Sequence, residues 1–195
     1  MFLTERFAEA LALAARLHAK QVRKGGDIPY VSHLLAVTAL VLEYGGDEDQ
    51  AIAAALHDAV EDQGGPATAA VIGERFGPRV AALVAACSDT DVEPKPPWRK
   101  RKEDHLAEMA HAPAGTMLIL AADKLHNARS VLRDYREIGA ALWKRFGGGR
   151  DGTLWYLRSV RETLRGKIPP AMEADLEETL DDLETLVREQ ETPGM

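Results

Sequence analysis

Apolar residues recur every three or four positions along nearly the whole chain, from Phe7, Leu11 and Ala14 or Ala15 to Met172, Leu176, Leu180, Leu183 and Leu186 or Val187. This is the period of helices that bury one face. Turn signals cut the pattern at Gly25-Gly26-Asp27, Gly45-Gly46, Gly64-Gly65-Pro66, Gly77-Pro78, Pro94 to Pro97, Pro113 to Gly115, Gly147-Gly148-Gly149 and Pro169-Pro170. The pieces between them predict an all-α fold of roughly eight to ten short helices. Asp47 and Gln50 have the spacing of a capping box, and Pro66 and Pro78 stand where a first helical turn accepts proline. Only Ile28 to Val31 hints at a strand, and no repeat of solenoid period is present. The last helix is strongly acidic outside its apolar stripe, as expected of a packing helix with a solvated face.

At 195 residues the chain is expected to form one domain, 1–195, with its own core. A content of 46% hydrophobic and 28% charged residues excludes a disordered or fibrous chain. No apolar run approaches the length of a membrane span, and Glu5 and Arg6 come too early for a secretory leader. The single cysteine, Cys87, has no partner for a disulfide or a thiolate metal site. A cytoplasmic protein follows, and any metal must be held by histidines and carboxylates. The net charge of −7 argues against nucleic acid as a general partner, although KPPWRKRK at 95–102 is locally basic. Nothing in the sequence fixes an oligomeric state.

The chemistry is concentrated in HDAVED at 57–62, which follows the apolar run Ala53 to Leu56. On one continuous helix His57 and Glu61, Asp58 and Asp62, and Asp58 and Glu61 would share a broad face. Clustered carboxylates next to a core repel each other and are costly to desolvate, and a divalent cation would offset both effects. The plainer alternative is the exposed side of an amphipathic helix. Two other segments favour the cation: His33 in PYVSH at 29–33, and Asp123 in LAADKLHN at 120–127, directly after the apolar run Met117 to Ala122. Two imidazoles and two carboxylates make a mixed nitrogen and oxygen set suited to Mn²⁺, Fe²⁺ or Zn²⁺.

These strings, in this order, resemble the HD superfamily of metal-dependent phosphohydrolases. Within it, VRKGGDIPYVSH at 22–33, ALHDAVEDQ at 55–63, RFG at 75–77 and LAADKLHNARS at 120–130 are similar to the hydrolase domain of RelA/SpoT enzymes and to stand-alone alarmone hydrolases. The resemblance implies an HD-type helical bundle in which His33, His57, Asp58 and Asp123 hold one divalent ion, most simply Mn²⁺. Glu61 and Asp62 would orient or deprotonate the attacking water. Arg23 and Lys24, which alone would pass for solvated surface charge, are implied to bracket a purine base. Asn127 and Ser130, four and seven residues beyond Asp123, share its helical face and are implied to meet ribose or base.

KPPWRKRK reads as a diphosphate-binding loop, with Lys102 as its contact, because a polyphosphate beside a carboxylate-rich site needs further cations. GGGRDG at 147–152 lacks the ending of a Walker A loop. Of the aromatic residues around it, Tyr156, with Arg158 beside it, could close over a nucleotide. His18, His105, His111 and His126 have no such setting and read as structural or exposed.

The function expected from the resemblance is hydrolysis of the 3′-diphosphate of guanosine tetra- or pentaphosphate to GDP or GTP and pyrophosphate, an activity of the stringent response. A chain of this length has no room for a synthetase. The alternatives are an HD-type phosphatase of another nucleotide, such as NADPH or a nucleoside phosphate, and a non-catalytic nucleotide-binding module.

Overall fold

The computed structural model describes residues 2–88 and 96–191. Among them are ten α-helices: α1 (Glu5–Leu17), α2 (Val31–Glu43), α3 (Glu48–Leu56), α4 (Ala59–Asp62), α5 (Gly65–Phe76), α6 (Pro78–Cys87), α7 (Trp98–Ala110), α8 (Ala114–Ile138), α9 (Gly149–Leu164) and α10 (Pro170–Glu191). One 3-10 helix, Gly139–Arg145, joins α8 to α9. The all-α expectation holds. The hinted strand is reduced to one antiparallel bridge between Val22 and Pro29, and Val31 already starts α2. No helix among the described residues is long and apolar enough to cross a membrane.

The chain divides into two compact units, one of residues 1–93 and 112–122, the other of 94–111 and 123–195. In the first, α3 is the central helix. Ala51, Ile52, Ala53, Ala54, Ala55 and Leu56 are all fully buried, so this helix is apolar on every side rather than on one stripe. It packs against α1, α2 and α6. The buried residues of those helices include Ala10 and Ala14 of α1, Leu34, Val37 and Val41 of α2, and Val80 and Val84 of α6. His57 is thus the first polar side chain after six buried apolar ones.

The local signals behave as their chemistry requires. Asp47 and Gln50 form the reciprocal capping box, with Gln50 N donating to Asp47 Oδ1 at 3.0 Å and Asp47 N to Gln50 Oε1 at 2.9 Å. Pro66 and Pro78 occupy the first turns of α5 and α6. Gly77, at φ 89°, closes one helix and opens the next, a backbone conformation that side chains rarely adopt.

Burial raises the Asp47 carboxyl, but hydrogen bonds from the Arg79 guanidinium and the Gln50 and Asp49 backbone lower it further, leaving it below its ordinary value. A depressed carboxyl adds stability that is complete above the unfolded pKa and lost as pH falls through the folded one, so this contribution should fade below about pH 4. Asp47→Ala should cost about 1 kcal/mol at neutral pH, read by urea unfolding. The difference from wild type should shrink as the solution is acidified.

In the second unit α9 packs against α7, α10 and the 3-10 helix. The predicted C-terminal stripe is buried as Met172, Leu176, Leu180, Leu183 and Val187. The acidic face of α10 is more than solvated. Asp175 pairs with Arg129, Asp182 with Arg136 at 3.0 Å, and Glu184 with Arg158 at 2.6 Å. These partners come from α8 and α9, and as exposed pairs each is worth about 1 kcal/mol or less.

The expected loop conformation of KPPWRKRK is corrected, because from Trp98 onward the basic segment is the start of α7. Lys95 lies outside the described residues. Arg99 with Glu103 and Lys100 with Asp104 form i,i+4 pairs that favour the helix. The GGGRDG motif has a packing role: the Trp98 indole lies where Cβ atoms on Gly147, Gly148 and Gly152 would stand, at 3.1, 2.5 and 3.1 Å from its nearest atoms.

Candidate metal centre

His33 comes from the first turn of α2, and His57 and Asp58 from the junction between α3 and α4. The expected single helix through HDAVED is broken there: α3 ends at Leu56 and α4 is one turn, Ala59–Asp62. One helical contact survives, Asp62 N donating to Asp58 O at 2.9 Å.

His57 is buried, and its Nδ1 lies 2.8 Å from the Ala54 carbonyl oxygen. A carbonyl only accepts, so a hydrogen sits on Nδ1, and in the neutral imidazole Nε2 presents a lone pair. That Nε2 is 3.0 Å from Asp58 Oδ2, and His33 Nε2 is 3.6 Å from the same oxygen. Two electron-rich atoms facing each other at such a distance need a proton or a cation between them. The three ligand atoms lie within 4.8 Å of one another. Atoms that share a cation at about 2.1 Å each stand about 3 to 4 Å apart, so the donor set and its spacing suit a divalent ion. The Ala54 contact is of the kind that orients an imidazole for metal binding.

Tyr30 is a member that the sequence reading missed. Its hydroxyl donates to Asp58 Oδ2 at 2.7 Å, its ring meets His33 edge-on at 5.5 Å, and Arg23 lies over it at 5.7 Å. The tyrosine stands inside PYVSH, three residues before the ligand, but no spacing rule marks it. Lys24 is exposed beside Arg23, and Glu61 and Asp62 are exposed on α4. Asp62 Oδ2 accepts from Gln21 Nε2 at 2.8 Å.

Asp123 belongs to the second unit. It is buried on α8, with Oδ1 accepting from Asn127 Nδ2 at 2.5 Å and Oδ2 from Lys124 Nζ at 2.6 Å. The structure therefore joins Asp123 to Asn127 as the four-residue spacing suggested, and adds Lys124, which went unnoticed within LAADKLHN. Ser130 is half-buried on the same helix. Lys102 and Tyr156 also meet, the ammonium 4.7 Å from the ring centroid, and His105 packs on the same ring at 6.4 Å. Arg158 pairs with Glu184.

The chain is similar to several known proteins. It is 36% identical over 124 residues to a probable GTP pyrophosphokinase of Mycobacterium leprae, covering 63% of this chain and 15% of that one. It is 34% identical over 133 residues to the bifunctional (p)ppGpp synthase/hydrolase SpoT of Escherichia coli K12, covering 65% and 18%. The chain thus spans less than a fifth of the length of either relative. A solved structure described as a metazoan ortholog of SpoT that hydrolyzes ppGpp superposes with a TM-score of 0.76 at 27% identity, over 93% of this chain and 97% of that one. The HD domain family model matches residues 10–154, a stretch that holds His33, the His57-Asp58 pair and Asp123, and the chain belongs to that family.

Proposed function

We propose that this chain is a metal-dependent phosphohydrolase that removes the 3′-diphosphate of guanosine tetra- or pentaphosphate, releasing GDP or GTP and pyrophosphate. The observation that carries this reading is the convergence of His33, His57 and Asp58 on one point, with the His57 lone pair turned into it. The relatives named for (p)ppGpp chemistry support the choice of substrate. The family match runs through both units, in keeping with residues 1–195 working as one hydrolase domain.

In this reading His33, His57, Asp58 and Asp123 hold the ion, taken as Mn²⁺. When bound, a divalent cation neutralises phosphoryl charge and makes water a competent nucleophile near neutral pH. Glu61 and Asp62, one turn beyond the ligand Asp58, orient that water and take its proton. Arg23 and Lys24 receive the purine, and Asn127 and Ser130 the ribose or base. Lys102 is suited to the diphosphate, and Tyr156, which its ammonium meets, to closing over the nucleotide. Arg158 could join them only by opening its exposed pair with Glu184, which costs about 1 kcal/mol or less. Such an enzyme would work on a small nucleotide in the cytoplasm, with neither nucleic acid nor membrane as partner.

Metal analysis of the purified protein, with phosphate and pyrophosphate release measured on ppGpp, pppGpp, NADPH and mononucleotides, tests this. Stoichiometric divalent metal and pyrophosphate from the guanosine substrates are expected. Turnover of NADPH or a mononucleotide alone would replace the substrate, and metal-free inert protein would leave a binding module.

A further inference from the structure

A hydrogen-bonded chain leads away from Asp62 within the first unit, through residues to which the proposed reaction assigns no part. Its polarity can be worked out from the carboxylate outward. A carboxylate only accepts, so the Gln21 amide must turn its nitrogen toward Asp62 Oδ2, at 2.8 Å. Gln21 Oε1 then faces the other way, where Gln63 Nε2 donates to it at 2.7 Å and His18 Nδ1 lies 2.6 Å from it. An amide oxygen also only accepts, which puts the His18 hydrogen on Nδ1. The His18 ring is 2% exposed and stacks on Tyr30 with centroids 5.3 Å apart and planes 16° from parallel. Its Nε2 has no hydrogen-bond partner among the described residues.

Gln21 belongs to no helix, yet its backbone is tied at both ends. Its N–H donates to His18 O at 3.0 Å, and its carbonyl accepts from Tyr30 N at 2.9 Å. Asp62, in contrast, stands exposed at the end of a four-residue helix. Such a side chain samples several rotamers unless something selects one.

We propose that Gln21 and His18 are positioning residues: His18 and Gln63 fix the orientation of the Gln21 amide, and that amide fixes the Asp62 carboxylate. This rests on the phosphohydrolase reading above, in which Asp62 serves the attacking water. Gln21 then acts through Asp62 and takes no part in holding the cation. A misplacement of about 1 Å at such a group can cost roughly 100-fold in rate.

The test compares Gln21→Ala and the isosteric Gln21→Glu, which keeps the volume but offers no N–H to Asp62. Pyrophosphate release from ppGpp with Mn²⁺ should lose roughly 10- to 100-fold in kcat with KM little changed. Mn²⁺ affinity, titrated into metal-free protein, should stay within about threefold of wild type. In an Asp62→Ala background, Gln21→Ala should add less than about twofold. Loss of Mn²⁺ affinity in step with kcat, or the full penalty persisting without Asp62, overturns the proposal.

A third readout needs no activity: ¹⁵N imidazole spectra should show His18 with hydrogen on Nδ1, and a changed pattern in Asp62→Ala. Hydrogen on Nε2, or a spectrum indifferent to Asp62, overturns the positioning chain. A wild-type protein inert toward ppGpp overturns the functional reading instead, and the spectra still decide the chain.

Discussion

Asp58→Ala should strip the cation and abolish turnover, whereas Glu61→Gln should keep the cation and slow hydrolysis. Asp58 Oδ2 is the atom on which the cluster converges, 3.0 Å from His57 Nε2, 3.6 Å from His33 Nε2 and 2.7 Å from the Tyr30 hydroxyl. Removing it takes away the carboxylate that both imidazoles face and leaves Asp123 as the sole charged ligand of the proposed set. Changes to outer hydrogen bonds already cost roughly 10- to 100-fold in metal affinity, so loss of this ligand should exceed about 100-fold. Glu61 sits on the exposed turn α4, beyond the junction that supplies the ligands. Metal content by elemental analysis and pyrophosphate release, measured on the same preparations, separate the two effects. Equal metal loss in both variants would remove the distinction between ligand and helper carboxylate.

The second large effect is expected in the packing of the second unit. Gly148→Ala places a Cβ 2.5 to 2.7 Å from three atoms of the Trp98 six-membered ring, closer than real contacts allow. The indole is hemmed in, with Trp155 edge-on at 6.3 Å and Arg99 stacked on Trp155 at 3.2 Å from its centroid. Overpacking of this kind costs about 1–3 kcal/mol, and at this chain length each kcal/mol lowers Tm by roughly 2–4 °C. Paired with Trp98→Ala, the same alanine should be neutral or slightly stabilising, because it then only restricts the unfolded chain. A thermal-melt double-mutant cycle checks this. Equal destabilisation in both backgrounds would mean that the glycine is needed for its backbone and not for the indole.

Much of the fold was legible because the signals are local. The capping box at Asp47, the prolines at 66 and 78 and the stripe from Met172 to Val187 each depend on neighbours within a few residues, and each is realised. His33, His57 and Asp58 could be singled out because ionisable side chains beside buried apolar runs need compensation.

The break between His57 and Asp58 could not be foreseen, since neither glycine nor proline marks it. The basic segment was misread as a loop because its prolines and charge density were weighed without the i,i+4 acids at Glu103 and Asp104, which favour helix. The partners Gln21 and Tyr30 were invisible for a different reason. Each acts on a carboxylate 41 or 28 residues away, and only the folded backbone brings such pairs together.

The sheathing of α3 on all sides bears on how readily an ion is captured. Ala54, which fixes the His57 imidazole, is fully buried in that helix, so the anchor of the ring is as immobile as the core itself. In the proposed site the ring would therefore reach its coordinating pose when the chain folds and have little freedom left to surrender when a cation arrives. Selectivity among divalent ions should accordingly respond to substitutions in the alanine run that never touch the metal.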